Sequence, residues 1–194
     1  MELKPVFFNK SPSSPIQYYT FLEGFTEEQL TWINNLKNLF PIEKANTTGP
    51  TEDSVRNSHI RWIDYTEKSA WLYDHLSEMI QTANNEMWNF NISHIDDSIQ
   101  YTEYHDNGGH YDWHLDVGIY PVNHRKISVT IQLSDPNDYE GGNFEVMTAS
   151  EPDIAPRKKG CAILFPSYLL HRVTPVTKGV RKSLVIWVNG EPFK

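Results

Sequence analysis

The chain has 194 residues and a formal net charge of −8, and 39% of its residues are hydrophobic and 13% aromatic. This composition is typical of a globular domain with a sizeable core and excludes a largely disordered chain. The acidic balance argues against a general nucleic-acid binder, and no apolar run reaches the length of about 18 residues that a membrane-spanning helix requires.

Two features of the sequence argue against a secreted protein. The first ten residues, MELKPVFFNK, lack a basic start followed by an apolar run, so we expect no signal peptide. Cys161 is the single cysteine and cannot form an internal disulfide, which indicates a reducing compartment. We therefore expect a cytoplasmic protein. The sequence indicates no oligomeric state.

Helical spacing marks two segments of the first half. Thr26 and Gln29 fit a capping box, and Pro41 ends the apolar run that follows. That run consists of Leu30, Ile33, Leu36 and Phe40. A second helix is predicted to begin near Thr66. Its apolar face consists of Leu72, Leu76, Met79, Ile80, Ala83 and Met87. We expect both faces to pack on a core.

A polar segment separates the two predicted helices. Residues 41–55 include Gly49-Pro50 and predict a mobile loop. Active-site loops of this kind often close over a bound substrate. We therefore treat residues 41–55 as a candidate lid.

Alternation of polar and apolar residues replaces helical spacing from about residue 98. The segments SIQYTEYH, ISVTIQL, NFEVM, CAILF and RKSLVIWV all predict strands. Turns are predicted at Pro136-Asn137 and Gly141-Gly142. Many short strands joined by loops indicate a β-sandwich or jelly roll, with the two helices packed outside it.

The pattern His-x-Asp occurs three times, at residues 94–96, 110–112 and 114–116. On extended backbone, residues i and i+2 point to the same side, so each copy offers an imidazole and a carboxylate to one metal ion. A histidine from a distant strand would complete the two-histidine, one-carboxylate face that is typical of non-haem Fe(II) oxygenases. His124 and His171 are the two histidines that follow residue 116. The residues alone leave open which copy binds a metal, and a surface histidine beside a surface acid is the alternative for each.

Arg181 lies ten residues after His171, in a predicted strand that would bury its charged side chain. Alternation in RKSLVIWV places Arg181, Ser183, Val185 and Trp187 on one face of a strand. An Arg and a Ser are costly to bury in a barrel unless they are hydrogen-bonded. A dicarboxylate ligand would supply paired, charged hydrogen bonds to the guanidinium. The alternative, at even weight, is an ion pair between Arg181 and a protein acid at the barrel rim.

Four segments together resemble the 2-oxoglutarate- and Fe(II)-dependent oxygenases of the prolyl/lysyl hydroxylase (PKHD) type. They are QYTEYHDNGGHYDWHLD, IQLSDPNDYEGGNFEV, ILFPSYLLHRVTPVTKGVRKSLVIW and, less closely, RNSHIRW. The resemblance covers about residues 56–190. It implies a mainly β fold, a cupin-like double-stranded β-helix (jelly roll) supported by N-terminal helices. We expect one domain over residues 1–194, with helical support and a loop to about residue 95 and a jelly-roll core with the metal site over 96–190.

The resemblance also implies a set of site residues. The iron ligands, and with them the catalytic centre, fall on His114, Asp116 and His171. Arg181 falls on the position that binds the far carboxylate of 2-oxoglutarate, and Tyr104 and Ser183 support that cosubstrate. Gln132 stands where some related prolyl hydroxylases carry a tyrosine that assists the arginine. Because an amide can donate a hydrogen bond to a carboxylate, we expect Gln132 to contribute to cosubstrate binding.

The implied activity is hydroxylation of a C–H bond with Fe(II), O₂ and 2-oxoglutarate, releasing succinate and CO₂, with ascorbate as a possible reductant. The resemblance favours a prolyl residue in a peptide or protein; a lysyl residue or a small molecule is the alternative. A cupin-like metal protein without oxygenase activity and a catalytically silent binding module are the competing classes. Tyr111, Trp113 and Trp187 are assigned either to the barrel core or to the substrate mouth. No nucleic acid or membrane is expected as a partner.

Overall fold

The computed structural model describes residues 18–45, 54–96, 98–117 and 124–192. These residues form a mainly β structure with packed helices, as predicted. The helices are α1 (Glu27–Leu36) and α2 (Ala70–Ala83). The strands before residue 96 are β1 (Tyr19–Phe21), β2 (Glu43–Lys44), β3 (Arg56–Asn57), β4 (His59–Asp64) and β5 (Ile92–Ile95). Those after it are β6 (Ser98–His105), β7 (His110–His114), β8 (Arg125–Gln132), β9 (Tyr139–Gly141), β10 (Phe144–Met147), β11 (Pro152–Ile154), β12 (Ala162–Pro166), β13 (His171–Val173) and β14 (Val176–Gly190).

The strands form two antiparallel sheets. The larger sheet has the order β1-β12-β8-β14-β6-β4-β2, and β5 and β9 also pair with β14. The smaller sheet has the order β11-β10-β13-β7-β3. The strongly alternating segments SIQYTEYH, ISVTIQL and RKSLVIWV became β6, β8 and β14, which lie side by side at the centre of the larger sheet. The strand predictions for these segments are therefore confirmed.

Strand β14 separates two environments on the faces of the larger sheet. Three of its side chains join the core cluster that α1 and α2 cover: Leu184, Ile186 and Val188. Alternation turns Arg181 and Ser183 to the opposite face, where a second core cluster combines residues of both sheets. The side chains between the sheets are thus partly polar and buried, and this is where the predicted site residues lie.

Helix α1 begins where the sequence predicts it. Thr26 accepts a hydrogen bond from the backbone N–H of Gln29, and the Gln29 side chain accepts one from the N–H of Thr26, so the capping box is complete. The α-helix ends at Leu36 and continues as a 3₁₀ turn over Lys37–Leu39. Phe40 therefore lies beyond the helix, although it still packs against the helix-covered core.

Helix α2 begins later and ends differently from the prediction. The Ser69 hydroxyl bonds the backbone of Thr66 and the carbonyl of Asp64, so a turn precedes the helix and the first helical residue is Ala70. After Ala83 the chain forms a π turn, in which Met87 is 37% exposed instead of extending the buried face. The π turn changes the angular spacing of side chains, which a constant helical period does not anticipate.

The first half of the chain supplies more strands than the sequence indicates. Residues 1–95 were expected to give helices and a loop, yet five strands of this part join the two sheets. Most have two to four residues, and they depend on pairing with distant strands rather than on a local pattern. Within the candidate lid, residues 43–44 form β2, while residues 46–53 lie outside the described residues.

No helix in the described segments is both long and apolar enough to cross a membrane.

Candidate metal centre

Two histidines and one aspartate converge where the end of β7 meets the beginning of β13. His114 ends β7, Asp116 follows two residues later, and His171 begins β13 directly opposite His114 in the register. Nε2 of His171 lies 3.4 Å from Oδ2 of Asp116, and Nε2 of His114 lies 3.7 Å from Oδ1. One ligand atom from each residue falls within 4.8 Å of the others. Among the described residues, no other trio of His, Cys, Asp or Glu side chains converges in this way.

A β-bulge in β7 separates the second His-x-Asp copy from this cluster. His114 pairs with His171 and Tyr111 pairs with Val173, so three steps along β7 oppose two steps along β13. A bulge of this kind re-aims side chains. It brings Tyr111 to the side of His114, and the two rings stack with centroids 3.5 Å apart. His110 is held elsewhere, because its ring nitrogens contact the carbonyls of Gly108 and Ser54.

Both histidines are oriented as metal ligands by backbone carbonyls. Nδ1 of His114 lies 2.7 Å from the carbonyl of Asp112, and Nδ1 of His171 lies 2.8 Å from that of Leu169. Because a carbonyl can only accept, each Nδ1 carries a proton, and Nε2 is the ring nitrogen left to bind a metal ion. This is the arrangement in which a second hydrogen bond fixes the tautomer of a ligating histidine. The residues present therefore fit a divalent metal ion.

The protonation states of the cluster suit a metal as well. Burial, followed by the repulsion of His171, lowers the pKa of His114 to about 4, so its imidazole is neutral near pH 7. Burial alone would raise the pKa of Asp116, but the two histidines and a hydrogen bond from Ser128 hold it below its usual value. Metal ligands must be deprotonated, and His114 and Asp116 meet that condition at neutral pH.

Ser128 is a functional neighbour that sequence reasoning missed. Its hydroxyl donates to Oδ2 of Asp116 at 2.7 Å and lies 2.9 Å from the hydroxyl of Ser167. The backbone N–H of Asp116 also donates to the carbonyl of Ser167. A signal was present in the sequence, since Ser128, Thr130 and Gln132 form the polar alternate positions of a strand with an apolar opposite face.

We expect Ser128→Ala to weaken metal binding about 10-fold, because groups that orient a ligand typically contribute 10- to 100-fold to metal affinity. The measurement is a titration of the metal-free protein with Mn²⁺ or Co²⁺. Thr130→Val is the matched control, since Thr130 is the next residue on the same face of β8 and no hydrogen bond joins it to Asp116. Equal affinities for Ser128→Ala and the wild type would contradict this role.

Arg181 lies between the sheets without an acidic partner. It is 1% exposed, donates from Nη2 to Oε1 of Gln132 at 3.0 Å, and lies 3.4 Å from the Ser183 hydroxyl. Within the described segments, its Nε has no hydrogen-bond partner and no carboxylate lies within ion-pair distance of the guanidinium. The alternative of an ion pair with a protein acid thus finds no support among these residues. A buried guanidinium without a counterion is costly, so this position suits an anionic ligand.

The other predicted cosubstrate residues surround Arg181, with one difference. Tyr104 is its direct partner in the register of β6 and β14, and the guanidinium lies 5.4 Å from the Tyr104 ring centroid. Gln132 accepts from Arg181, but its amide N–H donates to the carbonyl of Pro156. We expected that N–H to bind the cosubstrate carboxylate. Gln132 thus orients Arg181, and its contact with Pro156 uses one of its two amide N–H donors, so a contribution of Gln132 to cosubstrate binding stays a prediction.

The arginine pocket and the metal cluster share one sheet face. Ser128, which contacts Asp116, and Gln132, which contacts Arg181, are four residues apart on β8. Their Cα atoms are therefore about 13 Å apart on extended backbone. The metal ligands therefore lie near one end of this stretch of β8, and the positive charge of Arg181 lies near the other.

The three predicted mouth aromatics occupy different places. Tyr111 covers His114. The Trp187 ring stacks under the Arg125 guanidinium at 3.9 Å, and its buried indole N–H has no partner in the described part of the chain. Trp113 lies under Arg172, 4.6 Å from ring centroid to guanidinium, and alternation turns it away from His114. The structure therefore brings Tyr111 to the cluster but not Trp113.

Residues 99–189 match the family model described as the 2OG-Fe(II) oxygenase superfamily. A PKHD-type hydroxylase from Aliarcobacter butzleri is 32% identical over 176 residues, which cover 86% of this chain and 76% of the relative. Another from Teredinibacter turnerae is 41% identical over 88 residues, 43% of this chain and 39% of the relative. The chain thus aligns to well under half the length of the Teredinibacter protein.

Solved structures share the fold. A Pseudomonas putida prolyl-4-hydroxylase superposes with a TM-score of 0.70 at 17% identity, covering 90% of this chain and 93% of that one. A prolyl hydroxylase from Trichoplax adhaerens, solved with a hypoxia inducible factor oxygen degradation domain peptide fragment, gives 0.75 at 17% identity, covering 90% and 84%. The expected double-stranded β-helix is confirmed by these superpositions.

Proposed function

This chain belongs to the PKHD-type hydroxylases of the 2OG-Fe(II) oxygenase superfamily, and we propose from that premise that it hydroxylates a C–H bond of a prolyl residue. The observation that carries the proposal is the pairing of two features on one sheet face. One is the cluster of His114, Asp116 and His171. The other is Arg181, which is buried and has no acidic partner among the described residues. A generic metal-binding jelly roll explains the cluster but gives no reason to bury Arg181.

Fe(II) would be held by the Nε2 atoms of His114 and His171 and a carboxylate oxygen of Asp116. With 2-oxoglutarate and O₂, a bound Fe(II) supplies the oxidation that releases succinate and CO₂ and inserts one oxygen atom into the substrate C–H bond. The chain's own contribution is to keep His114 neutral and to orient both histidine rings before the metal arrives.

The far carboxylate of 2-oxoglutarate would bind Arg181. The Nε–H, which has no hydrogen-bond partner among the described residues, can donate to this ligand, and the guanidinium fork matches a carboxylate geometrically. The Ser183 hydroxyl and the Tyr104 ring lie beside the guanidinium and would flank the same carboxylate. Gln132 holds the Arg181 side chain in place. These contacts orient the cosubstrate along the sheet toward the metal ligands.

A prolyl residue in a peptide or protein is the substrate class that the surroundings favour. Exposed apolar side chains adjoin the metal ligands in sequence: Leu115, Tyr168 and Leu170. An apolar pyrrolidine ring suits such a rim better than a charged lysyl side chain does. The peptide complex of the Trichoplax structure supports a peptide substrate by analogy of fold. A lysyl residue or a small molecule is the alternative within the same chemistry.

The experiment that tests the substrate is mass spectrometry of a peptide panel incubated with the enzyme, Fe(II), 2-oxoglutarate, ascorbate and air. Each prolyl peptide is paired with a copy in which alanine replaces proline, and with one in which lysine does. A gain of one oxygen atom by the prolyl peptides alone is expected. Oxygen gained by the lysyl peptides instead would overturn the prolyl assignment while leaving the oxygenase class intact.

The cellular setting is also part of the proposal. Burial raises the pKa of the Cys161 thiol to about 11, so this cysteine is an inert core residue and not a thiolate. A single buried thiol supports a reducing compartment, and we propose the cytoplasm.

A further inference from the structure

Three planar groups from two neighbouring strands stack in a row that ends at His114. The Arg56 guanidinium lies 4.6 Å from the Tyr111 ring centroid. The Tyr111 and His114 rings are 3.5 Å apart between centroids and inclined by only 16°. Because the imidazole covers one face of the Tyr111 ring at that distance, the guanidinium must occupy the other face. The order is therefore guanidinium, phenol ring and imidazole.

The Arg56 side chain is buried and held in a fixed position. It faces Tyr111 directly in the register of β3 and β7. Its Nε–H donates to the Ser58 hydroxyl at 2.9 Å, and Arg56 is only 9% exposed while Ser58 is buried. An arginine side chain with a fixed guanidinium plane can hold an aromatic ring in place as well as attract it.

The two metal-ligating histidines differ in how their rings are supported. His171 packs against Phe165 and Phe144, which belong to the core between the sheets. The side chain of His171 is 5% exposed, whereas that of His114 is 15% exposed. The aromatic that covers His114 is Tyr111, which is itself only partly buried. Because Tyr111 is only partly buried, its ring needs a further contact to stay in place against His114. Arg56 lies where it can make that contact.

We propose that Arg56 is a positioning residue of the metal centre, acting through Tyr111 to fix the ring plane of His114. The hydrogen bond from Nδ1 of His114 to the Asp112 carbonyl restrains the ring at one atom only. The stack restrains the plane, so that Nε2 points at the metal before binding. This inference rests on the proposed function only in taking His114 as a ligand.

The experiment titrates the metal-free protein with Co²⁺ and follows the visible absorption of the bound ion. Arg56→Met removes the planar cation at similar length, and we expect it to weaken Co²⁺ binding about 10-fold and to alter the absorption bands. Arg56→Lys keeps the charge but not the flat stack, and a smaller loss is expected. Arg172→Met is the matched control, because Arg172 lies at the same 4.6 Å over Trp113, on the opposite side of β7. It should not change Co²⁺ affinity.

A double-mutant cycle tests the route through Tyr111. Tyr111→Leu should weaken Co²⁺ binding at least as much as Arg56→Met, and the double variant should bind no worse than Tyr111→Leu alone. Unchanged affinity in Arg56→Met, or losses that multiply in the double variant, would overturn the proposal. Failure of the wild type itself to bind Co²⁺ would instead overturn the proposed function, so the two failures are distinguishable. Thermal melting of the metal-free variants checks that each is folded.

Discussion

Arg181→Met is expected to weaken 2-oxoglutarate binding about 30-fold or more without destabilising the protein. Removing one partner of a buried, hydrogen-bonded charge pair typically costs 2–5 kcal/mol, which is a loss of affinity of about 30-fold or more. The fold should tolerate the change, because the buried guanidinium has no acidic partner among the described residues. Without a bound ligand, this unpaired charge lowers the stability of the folded protein. We expect the free energy of unfolding to stay equal or to rise by about 1 kcal/mol.

The measurement is calorimetric titration of the Mn²⁺-loaded protein with 2-oxoglutarate, together with a denaturation curve. Lys182→Met is the matched control, since Lys182 is the next residue of β14 and points to the opposite face. It should bind 2-oxoglutarate as the wild type does. Normal binding by Arg181→Met would remove the basis for placing the cosubstrate here. A large loss of stability would show that Arg181 is a structural residue instead.

Asp116→Asn is expected to remove metal binding and activity while the fold persists. The substitution keeps the shape of the side chain but removes the one negative charge between the two imidazoles. Groups that orient a metal ligand typically contribute 10- to 100-fold to metal affinity, and the ligand itself should contribute more. We therefore expect Asp116→Asn to lower metal affinity more than about 100-fold. Binding at 100 times Kd stabilises a protein by about 2.7 kcal/mol, so added Mn²⁺ should raise the Tm of the wild type but not that of Asp116→Asn.

Asp112→Asn provides the matched control for this experiment. Asp112 belongs to the neighbouring His-x-Asp copy, and its side chain accepts from the backbone N–H of Trp113 outside the cluster. Its backbone carbonyl, which orients His114, is untouched by the substitution. Mn²⁺ should therefore stabilise Asp112→Asn as it does the wild type. A Tm gain by Asp116→Asn, or its absence in Asp112→Asn, would mean that the wrong copy was assigned.

The elements with strong local signals were predictable. The capping box of Thr26 and Gln29 determines where α1 begins, and the structure has both of its hydrogen bonds. The long alternating segments gave the central strands β6, β8 and β14. In contrast, β1 and β3 are three and two residues long and form only because partners from the second half of the chain are adjacent. No window of sequence that short carries a usable period.

The site was predictable in its residue types but not in its geometry. Spacing alone left three His-x-Asp copies open, and the family resemblance selected residues 114–116. The bulge in β7 adds one residue and thereby exchanges the faces of its side chains, which strict alternation does not foresee. For that reason Tyr111 covers His114, whereas Trp113, which the sequence grouped with Tyr111, follows the alternation and lies under Arg172.

The supporting residues were the hardest to identify. Ser128 and Arg56 act on Asp116 and Tyr111 from strands that are distant in sequence. Ser128 lies outside the four segments that carry the family resemblance, and Arg56 begins the least similar of them, RNSHIRW, without an assigned role. Only the pairing of β8 and β3 with their neighbours brings these side chains to the metal ligands.

Succinate release from 2-oxoglutarate, with Fe(II), ascorbate, air and the prolyl peptide panel, tests the central claim most directly. The wild type and His110→Ala should release succinate, because His110 is held by the carbonyls of Gly108 and Ser54 away from the cluster. His114→Ala should release none above background. No succinate from folded, iron-loaded wild type, or an equal loss in His110→Ala, would contradict the account.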